Sequence, residues 1–159
     1  MAFTNRLRKT IAHLDRLPVG AERIRSIAIG QYVKFAGTAG VRFETLEEHE
    51  VTVSVANRRK VRNHIGQVHA AAMFLLAETA SGFCVGMNLP DSALPLVKEI
   101  DIKYVKRSRG AITATSRISD EQIEKLRTTD KGEITLDVTI TDEKGGQPAI
   151  CSAVWAWVP

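Results

Sequence analysis

The sequence predicts an α+β domain in which one curled antiparallel sheet wraps a single long buried helix. Two observations predict it. The run from Ala70 to Met87 carries Leu, Ala, Met and Phe on every side and only one charged residue, Glu78. That is the pattern of a helix enclosed by protein all round, not of a surface helix with one apolar stripe. Outside the run, from Gly40 onward, the apolar period becomes two, in a pair of segments before it and in three or four after it. One sheet and one all-round apolar helix satisfy each other when the sheet curls about the helix.

Taken in order, Phe3, Leu7, Ile11, Leu14 and Leu17 recur at helical spacing, and Pro18 closes that segment. A second short helix is expected over Ala21 to Ile29, with Gly30 at its end. These helices form an N-terminal extension, residues 1–36, that packs on a main domain at 37–159. Val41, Phe43 and Thr45 alternate with Arg42 and Glu44, then Val51, Val53 and Val55 with Thr52 and Ser54, which predicts a hairpin turning at Leu46 to His49. A basic, turn-rich stretch from Asn57 to Gln67 leads into the apolar helix.

Beyond Pro90 and Pro95, strands are expected at Ile100 to Tyr104 and Ile112 to Ile118. Ser119-Asp120-Glu121-Gln122 has capping-box spacing and starts a short helix that fades before Lys131-Gly132. Ile134, Leu136, Val138 and Ile140 make the clearest amphipathic strand, and Gly145-Gly146 turns into a last strand from Ala149 to Trp157. An arrangement of this kind is the hotdog fold. A single layer of sheet leaves edge strands and part of the helix uncovered, so a partner subunit is expected.

A chain of 159 residues is long enough for one well-buried core. The net charge of +4 favours anions, and nucleic acid, anionic lipid and a phosphorylated cofactor all satisfy that sign. Cys84 and Cys151 form no C-x-x-C pair and each sits in an apolar element, so buried free thiols are expected rather than a disulfide. Met1 to Thr10 carries Arg6, Arg8 and Lys9 with no apolar stretch behind them, and no signal peptide is expected. Glu78 and the Ala, Ser and Gly content of residues 70–87 argue against a membrane span. The expectation is a soluble cytoplasmic protein.

The segment Asn63-His64-Ile65-Gly66-Gln67-Val68-His69-Ala70-Ala71, followed by Glu78, resembles the signature of hotdog-fold acyl-CoA thioesterases, above all the phenylacetate-degradation type. That signature is Asn-x-x-Gly-x-x-His-Gly-Gly with an acid nine residues after the His. Asn63, Gly66, His69 and Glu78 fall in place. Asp101 to Val105, running into Lys106-Arg107-Ser108-Arg109-Gly110, resembles the family's strand and turn beside the coenzyme, and the likeness covers roughly Gly37 to Pro159. Two positions depart from it. His69-Ala70-Ala71 replaces His-Gly-Gly, and Leu96-Val97-Lys98 stands where many relatives place a Ser or Thr.

The resemblance implies hydrolysis of an acyl-CoA or related thioester, with coenzyme A as part of the substrate and no other cofactor. It implies a homodimer or dimer of dimers with the active site at the dimer interface. Glu78, Asn63 and His69 are then the catalytic candidates, with the Ala70 N–H for the oxyanion and Gly66, Lys106, Arg107 and Arg109 for binding. The chemistry is sound on general grounds. A developing oxyanion needs a donor, which a helix start supplies, and a carboxylate must activate water or attack the carbonyl. The helix start and Glu78 lie roughly 13 Å apart along one helix and cannot serve one thioester within it; the resemblance implies that the helix start of one subunit faces the carboxylate of the other.

Each candidate also has a plain structural reading. Glu78 could be a buried acid held by an Arg or by backbone donors, His69 a helix cap, and Asn63 a turn residue. Arg58, Arg59, Lys60, Arg62 and Lys103 join Lys106, Arg107 and Arg109 as cations that either hold phosphates or simply solvate strand ends. Trp155 and Trp157 share one face of the last strand, as core or interface. His64, His69 and Glu78 lack metal-ligand spacing. Three functions compete: thioester hydrolysis, hydration or dehydration of an acyl thioester, and non-catalytic acyl-CoA binding or regulation. A DNA-binding regulator would need a helix-turn-helix ahead of the domain, which residues 3–29 match poorly.

Overall fold

A computed structural model describes residues 3–16 and 20–159. Three helices come first: α1 (Arg6–Leu14), α2 (Ala21–Tyr32) and α3 (Lys34–Ala39). Strands β1 (Arg42–Leu46) and β2 (Glu50–Val55) form the expected hairpin, and a short 3-10 turn at Arg59–Val61 leads to α4 (Ala70–Gly86). Then follow β3 (Leu94–Tyr104), β4 (Ile112–Arg117), α5 (Asp120–Thr128), β5 (Gly132–Asp142) and β6 (Ala149–Val158).

The strands make one six-stranded sheet in the order β1-β2-β4-β5-β6-β3, and every pairing is antiparallel. Its inner face wraps α4, which touches β2 through β6. Val51, Val53, Ile112, Ala114, Leu136, Ile140 and Ala153 from the sheet meet Leu76, Ala77, Ala80 and Cys84 from the helix in the core. The helix buries residues on every side, as its composition predicts, and the domain is a hotdog fold.

Local signals explain most boundaries. Asn5 caps α1 by accepting from the Arg8 N–H at 2.9 Å. Ser119 and Gln122 form the predicted capping box of α5. Four expectations need correction. Phe3 lies ahead of α1, where its ring packs under the guanidinium groups of Arg127 and Arg8. Gly30 does not end α2 but sits inside it, because a Cβ there would lie 2.9 Å from the Cα of Gly37. The two glycines let α2 and α3 cross closely, and α3 itself has no clear sequence signal. The strand expected at Ile100 begins at Leu94, and Pro95 is tolerated because β3 is an edge strand paired only with β6. In β1 a bulge between Phe43 and Thr45 turns Leu46, not Thr45, to the core. Leu17 and Pro18 lie outside the described residues.

The N-terminal helices are bolted to the main body by polar contacts. Asn5 Nδ2 donates to the carbonyls of Gly86 and Leu89, both at 2.8 Å. Arg8 reaches the Met87 carbonyl at 2.6 Å and Asn88 Oδ1 at 2.9 Å, and pairs with Glu48. Arg25, buried on α2, donates to Asp15 at 2.7 Å and to the Phe43 and Glu44 carbonyls at 2.7 and 2.8 Å.

Candidate active site

The loop before α4 is built to present a helix start. Asn63 Oδ1 accepts from the N–H groups of Ile65 and Gln67, at 3.1 and 3.0 Å. Gly66 takes φ +77°, a left-handed conformation that glycine adopts without strain, and its carbonyl accepts from Asn57 Nδ2. The oxygen of Asn63 is therefore spent on the turn, while its Nδ2 has no partner among the described residues. The His69 N–H bonds the Val61 carbonyl at 2.8 Å and fixes where the helix begins.

His69 is the N-cap of α4. Its Nδ1 accepts from the Ala71 N–H at 3.0 Å, so a neutral ring carries its proton on Nε2. The Ala70 N–H has no partner among the described residues and stands at the positive end of the helix dipole. Tyr104, at the end of β3, donates its hydroxyl to the Ala70 carbonyl at 2.8 Å. Its place in the alternation marks a strand residue, but nothing in the sequence marks that hydroxyl as a partner of the helix start.

Glu78 sits two and a half turns further along α4, half-buried. It lines a largely apolar cavity of about 660 Å³ between α4 and the first two helices. Burial pushes its carboxyl above the ordinary glutamate range, and the adjacent Thr79 offsets part of the effect. The structural reading of Glu78 as an acid held by an arginine finds no such partner among the described residues. Trp155 belongs to the core and to this cavity at once. Its ring covers Gly82, and its Nε1 donates to Ser81 Oγ at 2.9 Å.

The cations predicted for phosphates separate into two groups. Lys106, Arg107 and Arg109 line one cavity of about 560 Å³, together with Gln67 from the loop before α4 and Lys144. Asp142 shapes that rim by accepting from the N–H groups of Gly146, Lys144 and Arg109, which hold its carboxyl below the usual range. Arg58 belongs elsewhere, in a groove under α2 and α3, and Arg62 is committed to Asn57. His64 is exposed. Cys84 and Cys151 are free and buried, their thiols pushed up to about 12 and about 11 by burial.

The structure thus brings Asn63, Gly66, His69 and Ala70 together at the helix start, beside Tyr104 and the basic cavity. Within one chain Glu78 is not among them. Among the described residues no helix is long and apolar enough to cross a membrane.

Comparison with known proteins bears on both fold and family. A family described as a domain of unknown function, DUF4442, matches residues 21–158. No curated protein matches. A Pseudomonas aeruginosa structure, described as a protein of unknown function and probable thioesterase, is 27% identical with a TM-score of 0.77. The match covers 89% of this chain and 96% of that one. A Staphylococcus aureus thioesterase, crystallised as a mutant, is 20% identical with a TM-score of 0.68, over 79% of this chain and 99% of that one. A Haemophilus influenzae thioesterase is 12% identical with a TM-score of 0.68, over 82% and 87%. Likeness at those two lower identities establishes the fold alone.

Proposed function

The chain belongs to the DUF4442 family, and from that premise we propose that it is a thioesterase acting on acyl-CoA or a related acyl thioester. The observation that carries this reading is Glu78: one carboxylate in an otherwise uncharged helix, facing an apolar cavity with its pKa raised by burial. A carboxylate whose proton affinity is raised by burial is a stronger base toward water than an ordinary glutamate. The description of the P. aeruginosa relative supports the same reaction class. The Asn63-to-Glu78 spacing supports the phenylacetate-degradation type as the branch it most resembles.

In this reading the protein is a homo-oligomer, and the thioester lies between the α4 start of one copy and Glu78 of the other. The edge strand β3 favours such pairing, because Leu94, Leu96, Val97 and Tyr104 are large apolar residues left exposed along it. Glu78 takes a proton from water as the water oxygen bonds to the carbonyl carbon. The Ala70 N–H and the helix dipole hold the resulting oxyanion. When the intermediate collapses the C–S bond breaks, and the proton on Glu78 passes to the departing thiolate. The products are a carboxylic acid and free coenzyme A.

His69 acts by capping Ala71, which leaves the Ala70 N–H free to point outward. Asn63 holds the loop through its oxygen and offers its Nδ2 to the carbonyl or the water. Gly66 gives the loop its turn, and Lys106, Arg107 and Arg109 take the phosphates. The non-catalytic reading rests on His69-Ala70-Ala71, where two methyl groups stand at the approach to the helix start.

The deciding experiment is free-thiol release from acetyl-, decanoyl-, palmitoyl- and phenylacetyl-CoA, with Glu78→Gln beside the wild type. Turnover by the wild type and a loss of at least about 100-fold in the folded variant is the expected result. Equal rates, or none from either protein, would overturn hydrolysis through Glu78 and leave acyl-CoA binding as the function.

A further inference from the structure

We propose that the outward face of α2 and α3 docks on the surface of an anionic phospholipid membrane. The inference stands apart from the thioesterase reading and uses none of its catalytic or phosphate-binding residues.

α2 is inverted for a surface helix. The side it turns to the body carries the guanidinium of Arg25 beside Ile29 and Gly30, all buried. Ile24, Ile27, Ala28 and Tyr32 face outward instead. Their spacing of three and four residues sets them in one stripe along the helix. Val33 breaks the helix with φ −95° and ψ 81°, and Phe35 stands out just beyond the break, in α3. Tyr32 is 89% exposed, Phe35 67% and Ile27 56%. Large apolar side chains gathered on one exposed face mark a surface that meets something else.

Charge says what that partner is. Ile27 also lines the groove of about 880 Å³ under α2 and α3, where Arg23, Lys34, Arg42 and Arg58 supply four cations and Glu22 the single acid. None of the four cations forms an ion pair among the described residues, whereas Arg6, Arg8, Arg25, Lys98, Arg117 and Arg127 each do. The apolar stripe and the unpaired cations therefore meet on one face. A second copy does not suit it, because a two-fold contact sets the same cations against each other with one acid apiece to answer them. An anionic bilayer answers both halves. Lipid phosphates take the cations, and the acyl boundary takes Ile27 and Phe35. Tyr32, with an apolar ring and a polar tip, belongs at the level of the headgroups. Isoleucine and aromatic residues flanked by Arg and Lys are the make-up of a helix that lies on a membrane without crossing it.

The test is flotation of the whole chain with vesicles of phosphatidylcholine, alone or with roughly one third phosphatidylglycerol. The wild type should bind the anionic vesicles at least about tenfold better than the neutral ones, and added salt should release it. Arg23→Glu combined with Lys34→Glu should lower binding to the anionic vesicles at least about tenfold. Ile27→Ser combined with Phe35→Ser should do the same with an unchanged circular dichroism spectrum, since both positions are exposed. Hydrogen exchange on the wild type needs no variant: anionic vesicles should slow residues 24–35 and leave β6 unchanged. Equal binding to both vesicle types, or full binding by the Ile27→Ser, Phe35→Ser protein, overturns the proposal, as does slowing confined to other segments. A fall in the mass of that variant by light scattering assigns the face to a second copy. Retention of the wild type on polyaspartate without vesicle binding assigns it to an acidic protein. Either result also overturns membrane docking. No readout here depends on turnover, so thioester hydrolysis stands or falls separately.

Discussion

The hydroxyl of Tyr104 donates to the carbonyl of Ala70 at 2.8 Å, tying the last residue of the edge strand to the first residue of the central helix. Sheet and helix are joined at the point where the Ala70 N–H is left free. The direction in which that N–H points is thus set from both sides, by the His69 cap below and by Tyr104 above. Tyr104→Phe should lower kcat several-fold while changing stability by less than about 1 kcal/mol, since the residue is nearly half exposed. Steady-state kinetics and a urea titration check the two halves. An unchanged kcat would show that the helix start holds its aim without the strand.

Glu78 gives a stability signature with a definite sign. Burial raises its folded pKa above the ordinary 4.5, so the folded state holds the proton more tightly than the unfolded chain. Below that ordinary value the group is neutral in both states and costs nothing. As pH rises through the raised folded pKa, the charge must be carried inside, and stability falls. Glu78→Gln is neutral throughout, so its Tm should exceed that of the wild type at pH 7, with the gap closing toward pH 4. The same ionisation should make wild-type kcat/KM rise across that window. A variant less stable at pH 7 would refute the desolvation account.

The basic cavity makes a prediction about the carrier half of the substrate. Lys106→Ala and Arg109→Ala should each raise KM for an acyl-CoA by roughly fivefold at low salt, about 1 kcal/mol for one phosphate contact. Added salt should shrink the difference. Against an acyl thioester of N-acetylcysteamine, which has no phosphate, both variants should match the wild type. Equal effects on the two carriers would place the phosphates elsewhere.

The crossing of α2 and α3 predicts a sharp cost at a surface-accessible glycine. Gly37 is exposed, yet a Cβ there would collide with the Gly30 carbonyl. Gly37→Ala should lose about 1–3 kcal/mol, because the overlap is with backbone and the helices must separate. Thr38→Ala, one residue on and also exposed, should stay within about 0.5 kcal/mol. Urea titrations of the two variants give the contrast directly. Indistinguishable midpoints would mean that the helices part without penalty.

The same pair of glycines shows where reading the sequence succeeds and where it stops. Gly30 looks like a helix end when only its own neighbourhood is considered. It is a contact residue because of Gly37, and a contact between two helices leaves no local trace. Elements with strong periodicity were legible: α4, the β4–β5–β6 meander and the capping box of α5 follow from local rules. At the candidate site, Glu78 stands out as one charge in an apolar run. His69 is singled out only by the resemblance of the Asn63–Glu78 segment to the thioesterase signature, and its N-cap place matches its plain structural reading. The commitment of Asn63 Oδ1 to its own loop, the Tyr104 bond and the cavity beneath α1 were not legible. Each depends on how distant segments meet.

The two edges of the sheet are treated differently. Along β1 the groups that would greet a seventh strand are already taken: Arg25 occupies the carbonyls of Phe43 and Glu44, and Ser26 Oγ accepts from the Phe43 N–H. Along β3 none of the described residues plays that part. A sheet stopped at one side and open at the other can be extended once, by a second copy meeting it edge to edge, and the doubled sheet then ends in two stopped sides. In the proposed homo-oligomer the guanidinium of Arg25 is in this sense a terminator of growth, since it holds backbone carbonyls of β1 that a further strand would need.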